Sequence, residues 1–174
     1  ADTINSGTGS DTVYGDDGND IINSDAGDDL IYGGDGDDTI NTGTGSDTVY
    51  GEDGNDIINA DTGDDIIYGG TGNDTVNACI GNDIIYGEFG NDTISGDAGD
   101  DLIYGAEGED TLDGGVGNDT IDAGKGNDIV YGGDGNDTLN GGEGDDTYYF
   151  NENHGNDIVN DMDGSNTLIF GDGL

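Results

Sequence analysis

The chain has 174 residues, enough for one domain, and sets 42 acidic residues against one basic side chain, Lys125, for a net charge of −41. That balance excludes nucleic acid and anionic membrane surfaces as partners, since both are held through clustered Lys and Arg. No apolar run approaches a membrane span, and the opening residues carry no charged-then-apolar leader pattern. With 29% hydrophobic residues, 38 glycines and neither Trp nor Pro, composition alone reads as disorder, and only regularity in the sequence argues for a fold.

The opening segment DTIN, Asp2 to Asn5, reads as the tail of a severed repeat. The chain is therefore expected to be a fragment whose first strand presents an open edge, and such an edge invites end-to-end self-association. From Ser6 to Tyr149 the sequence then repeats every nine residues, sixteen times, without insertion or deletion. Counting Ser6 as position one, position four is always glycine: Gly9, Gly18, Gly27, Gly36, Gly45, Gly54, Gly63, Gly72, Gly81, Gly90, Gly99, Gly108, Gly117, Gly126, Gly135 and Gly144. Position six is always aspartate: Asp11, Asp20, Asp29, Asp38, Asp47, Asp56, Asp65, Asp74, Asp83, Asp92, Asp101, Asp110, Asp119, Asp128, Asp137 and Asp146. Position eight is always apolar or aromatic, from Val13, Ile22 and Ile31 to Leu139 and Tyr148. Disorder does not hold three positions fixed through so many repeats.

Each repeat divides into a six-residue turn rich in Gly, Asn and Asp and a three-residue strand of Thr or Ile, an aliphatic, then Tyr or Asn. Side chains alternate along a strand, so position eight faces inward while positions seven and nine face out. One apolar residue in nine suits a flattened coil in which strand, turn, strand and turn complete a circuit of 18 residues. The invariant glycine is expected where the backbone needs positive φ or closely approaches a ligand, and the β-branched residues suit the strand. Position nine shows the circuit independently. Tyr14, Tyr32, Tyr50, Tyr68, Tyr86 and Tyr104 recur on one face, and Asn23, Asn41, Asn59 and Asn77 on the other. Beyond Tyr104 the faces exchange: Asp122 and Asn140 continue the first, Tyr131 and Tyr149 the second.

Stacked circuits bring each turn to roughly a strand spacing, about 4.8 Å, from the turn 18 residues on. The aspartates then form two columns, in which neighbouring charges repel by about 3.5 kcal/mol at an effective dielectric of 20. Such columns require counterions. Carboxylates joined by turn carbonyls make an oxygen-only donor set, which suits calcium better than magnesium. Zinc would want His or Cys, and His154 and Cys79 make no such site.

The segments GGDGNDTLN (Gly132 to Asn140) and GGTGNDTVN (Gly69 to Asn77) resemble the calcium-binding nonapeptide of the RTX, or haemolysin-type, family, and the resemblance covers nearly the whole chain. It implies an all-β fold, a right-handed parallel β-roll (β-solenoid) with 18 residues per coil. Residues 1–149 would be the calcium-binding roll and 150–174 irregular repeats with a C-terminal cap. It also implies that the position-six aspartates and the position-four glycine turns hold about fourteen calcium ions between neighbouring turns. Two departures bear on loop affinity. Position one is often Ser, Thr or Ala (Ser6, Ser24, Thr42, Ala60, Ala78, Ala123), and position two is acidic at Asp16, Asp25, Glu52, Asp61, Glu88 and Asp97.

After Tyr149 the register slips by two residues. GNDIVN (Gly155 to Asn160) restores the motif with Asp157 as a further ligand, and GSNTLI (Gly164 to Ile169) follows with Asn166 in the aspartate position. The ending FGDGL (Phe170 to Leu174) resembles the family's cap, and Phe150, Leu168 and Phe170 are expected to close the core.

By that resemblance the chain is a calcium-binding module of a larger secreted protein such as a toxin, hydrolase or adhesin. It would be exported by a type I system and fold on meeting calcium outside the cell, where it would act as scaffold. No catalysis is expected: paired acids such as Asp37 and Asp38 recur throughout and the structural role explains them, Cys79 reads as an incidental small residue, and His154 as a surface or cap residue. The alternative is an adhesin, surface-layer or polysaccharide-binding module that uses the Tyr-lined face, flanked by Leu30, Ile66, Ile84 and Leu102, for lateral association. Tyr rings stacking to support the roll is the preferred account of that face.

Overall fold

In a computed structural model, which describes residues 1–171, nineteen short strands alternate between two parallel sheets. The ten-stranded sheet runs from Thr3–Asn5 through Ile21–Asn23 and Thr39–Asn41 to Thr167–Phe170. The nine-stranded sheet runs from Thr12–Tyr14 through Leu30–Asp35 to Ile158–Val159. Every strand pairs with the one a full circuit away, Thr39 with Ile57 and Ile31 with Val49, so the 18-residue coil read from position nine is the unit of the solenoid. Thr3, Ile4 and Asn5 pair in register with Ile21, Ile22 and Asn23, as the tail of a repeat should. At the far end Thr147 pairs with Thr167 and Thr138 with Ile158, twenty residues on, which absorbs the two-residue slip.

The core lies in a narrow file between the sheets. All sixteen position-eight side chains from Val13 to Tyr148 are buried there, flanked by Ala60, Ala78 and Ala123 from position one. Aliphatic side chains on a two-residue period, with Thr, Tyr and Asn on alternate positions, produce that division directly.

The strands are longer than the three residues expected. In the nine-stranded sheet from Leu30–Asp35 up to Thr138–Glu143, and in the other from Thr111–Val116 up to Ile129–Asp134, they run six residues, through positions one to three of the following turn. Glycine-rich sequence reads as turn, but parallel neighbours here pair through the backbone, Gly34 with Glu52 and Asp35 with Asp53. The bend within these strands is position two, whose φ is positive in every repeat, whether glycine (Gly34, 109°) or not (Asp16, 64°; Glu52, 75°; Ala106, 83°).

Both outer faces match the expectation. The rings from Tyr14 to Tyr104 stack with centroids 4.8–5.0 Å apart on the nine-stranded sheet. Asn23, Asn41, Asn59 and Asn77 form an amide ladder on the other, for example Asn41 Nδ2 to Asn23 Oδ1 at 3.0 Å. Tyr131 and Tyr149 then stack on the Asn side. At the C-terminal end Phe150 is buried and stacks on Phe170, but Leu168 and Phe170 are about half exposed (48% and 58%), so of the three only Phe150 joins the core, with Val159 packed against it. Asp172 to Leu174, the end of FGDGL, lie outside the described residues.

Candidate metal centre

The position-six side chains turn inward, and from Asp20 to Asp146 they are buried. Their two oxygens differ. Oδ1 accepts a hydrogen bond from the backbone N–H of the aspartate one circuit earlier: Asp38 from Asp20 at 2.7 Å, Asp65 from Asp47 at 2.7 Å, Asp146 from Asp128 at 2.8 Å. This bond fixes the carboxylates in register along each column. Oδ2 accepts no hydrogen bond in any of the sixteen, from Asp11 to Asp146, although each is a buried atom. A buried anionic oxygen without a partner costs several kcal/mol, roughly, so columns of them require a compensating positive charge.

Where position one is glycine, from Gly15 to Gly114, these oxygens lie beside a carbonyl from the next circuit. A Cβ built on Gly33 would lie 2.6 Å from both Asp38 Oδ2 and the Gly51 carbonyl oxygen. On Gly114 it would lie 2.5 Å from both Asp119 Oδ2 and the Gly132 oxygen, and on Gly69 it would lie 2.6 Å from Asp74 Oδ2 and 2.8 Å from the Gly87 oxygen. Among the described residues no three His, Cys, Asp or Glu side chains converge on one point. A metal centre here would therefore combine few carboxylates with backbone carbonyls, the hard oxygen set that suits calcium and not zinc. The unpaired Oδ2 atoms and the carbonyls opposite them fit that ion.

Seven segments, residues 1–31, 14–49, 32–67, 41–76, 50–85, 80–112 and 113–148, match the family model described as the RTX calcium-binding nonapeptide repeat. The chain belongs to the RTX calcium-binding nonapeptide-repeat family. A comparison with curated proteins gave no match.

In this RTX roll the electrostatics follow from burial. Desolvation pushes the carboxyls of Asp56, Asp65, Asp110 and Asp119 up to about 7 from their ordinary 3.8. Asp74, Asp83, Asp128 and Asp137 rise to about 6. The backbone N–H on Oδ1 opposes the rise and neighbouring acids add to it. Apart from Gly81, the position-four glycines have clearly positive φ, 132° at Gly36 for instance, and a Cβ there would meet the backbone of the preceding circuit, 2.7 Å from the Gly18 carbonyl carbon. The close approach that requires glycine is thus between adjacent RTX turns.

Two further elements of the turn escape a reading by composition. Position five forms its own ladder: Asp37 Oδ1 accepts from the Asn55 N–H at 2.9 Å and Asn73 Oδ1 from the Asn91 N–H at 2.7 Å. These bonds, with Asn55 and Asn118 as donors, lower the carboxyls of Asp37 and Asp100. The recurrent Asn or Asp at position five is the sequence signal for it. At position one, Ser24 Oγ donates to the Thr42 carbonyl at 2.9 Å and Thr42 Oγ1 to the Ala60 carbonyl at 2.7 Å, the carbonyls that face the carboxylate in glycine turns.

Three further polar residues differ from the column aspartates. Cys79 occupies a left-handed position two (φ 77°), and burial raises its thiol. Lys125 pairs with Glu107 at 2.7 Å on the surface. Asp157 differs from the sixteen: Oδ1 accepts from the Asp137 N–H at 3.0 Å, and Oδ2 lies 2.8 Å from His154 Nδ1.

Proposed function

We propose that this chain is a calcium-dependent folding and scaffold module of a larger secreted protein. The observation that carries the reading is the pair of columns of buried carboxylate oxygens with no hydrogen-bond partner. The position-six aspartates and the backbone oxygens of the glycine turns would hold the ions. Eight turns in each column leave seven gaps, hence about fourteen inter-turn sites. When bound, calcium supplies the positive charge that lets adjacent circuits approach. The protein's own part is to align Oδ1 by a backbone N–H, turn Oδ2 toward the next circuit, and exclude water by packing position eight beneath. Because the core is one side chain wide, folding depends on that charge compensation. A chain unfolded in a calcium-poor cytoplasm and folded in a calcium-rich medium suits export by a type I system and an extracellular or cell-surface location. The module is proposed to be non-catalytic: its acids repeat in every turn in one structural role.

Circular dichroism tests the reading. With chelator the chain should lack the sheet spectrum, and added calcium should restore it cooperatively. A sheet spectrum indifferent to chelator would sink the proposal.

A further inference from the structure

The two columns end differently from the way they run. In the body of the roll a Cβ on a position-one glycine meets both a position-six Oδ2 and a carbonyl of the next circuit, as at Gly33, Gly69 and Gly114. At Gly132 the three nearest atoms all belong to Asp137, and at Gly141 they are two atoms of Asp146 and the Tyr148 hydroxyl, at 2.5 Å. At neither glycine is a carbonyl of the next circuit among the three nearest atoms, as it is from Gly15 to Gly114.

The cap also supplies hydrogen-bond partners of its own. The extra residues inserted after Tyr149 include His154, which packs edge-on against Phe150 at 5.4 Å and lies 2.8 Å from Asp157 Oδ2, the oxygen that is unpaired in the sixteen preceding turns. An ionised carboxylate only accepts, so the imidazole Nδ1 is the donor. In the other column the aspartate position holds Asn166, whose Oδ1 takes the Asp146 N–H at 2.9 Å without adding charge. Tyr148, the one aromatic at position eight, donates its hydroxyl to Asp161 Oδ2 at 2.6 Å.

We propose that the capping segment terminates both metal columns with groups of its own, His154 paired with Asp157 in one and the uncharged Asn166 in place of the aspartate in the other, so that calcium loading stops before the last circuit and Asp157 is not a ligand. The inference rests on the calcium reading above. It deepens that reading by giving the cap a chemical role, which is to end a row of buried charges with a protein partner in place of a further ion.

Native mass spectrometry at saturating calcium counts the ions on the full chain, with circular dichroism to confirm folding. Asp157→Asn should carry the wild-type number of ions, whereas Asp101→Asn, in mid-column, should lose at least one. Loss of an ion in D157N would overturn the inference. An unchanged count in D101N would overturn the position-six assignment instead, and a wild-type chain without calcium would overturn the proposed function itself. A second measurement needs no variant: His154 is the sole histidine, and its hydrogen-bonded Nδ1 proton, seen by nitrogen-15 NMR, should persist at saturating calcium. Its disappearance on calcium loading would mean that an ion takes Asp157 from the imidazole, which also overturns the inference.

Discussion

A methyl group added at Gly9 would meet nothing within 4 Å, whereas one added at Gly36 would sit 2.7 Å from the Gly18 carbonyl carbon. Both glycines are at position four and both have positive φ, 115° and 132°, so the pair separates backbone conformation from stacking. Gly9→Ala should cost about 1–2 kcal/mol, the left-handed penalty alone. Gly36→Ala should cost more than about 4 kcal/mol, because backbone must move. Denaturant midpoints of the calcium-saturated variants check this, and equal losses would mean that φ alone requires the glycine. By the same reasoning Ala106→Gly, at φ 83°, should stabilise the roll by up to about 1 kcal/mol. The invariance of Gly36, Asp38 and Ile40 was legible because each repeat enforces it again. That Asp38 Oδ2 faces the Gly51 carbonyl was not, since the sequence carries no mark for a backbone oxygen in another circuit.

At the scale of the strand, regular spacing made the two faces readable while composition hid the strand length. Tyr and Asn at position nine announce their own ladders because like side chains one circuit apart must touch. Gly33, Gly34 and Asp35 announce a turn, yet they continue the strand from Leu30, since parallel pairing asks only for backbone N–H and C=O groups. The Tyr ladder is read as support for the roll. Replacing Tyr50, Tyr68 and Tyr86 with Ser removes four stacked contacts, roughly 2–6 kcal/mol at about 0.5–1.5 each. The calcium midpoint for folding should therefore move upward while light scattering stays unchanged. A variant that folds at the original midpoint but loses self-association would make this face an interaction surface.

Across the whole molecule the raised carboxyls tie folding to pH. A carboxyl at 3.8 in the unfolded chain and about 7 in the fold, as at Asp56 and Asp119, binds more protons when folded. The metal-free fold therefore loses stability as pH rises from about 4 to about 7. In chelator, lowering the pH from neutral toward about 4.5 should recover sheet structure, protons standing in for calcium. With calcium present, the same acidification should weaken ion binding, because ligands must be deprotonated. A chelated chain equally unstructured at both pH values would count against the buried columns. The register has a mechanical corollary as well. Each strand bonds only to those one circuit before and after, and the first and last strands lie at opposite ends of the ten-stranded sheet. Tension between the chain ends then pulls along the stack, opening hydrogen bonds one row at a time where a sheared sheet would load them together. Each 18-residue circuit would exchange about 4.8 Å of stack for roughly 60 Å of extended chain. Optical tweezers should record a low-force staircase with increments near 55 Å, roughly, that disappears in chelator. Under load the roll would behave as a spool, letting out chain in equal lengths while the circuits still wound remain intact.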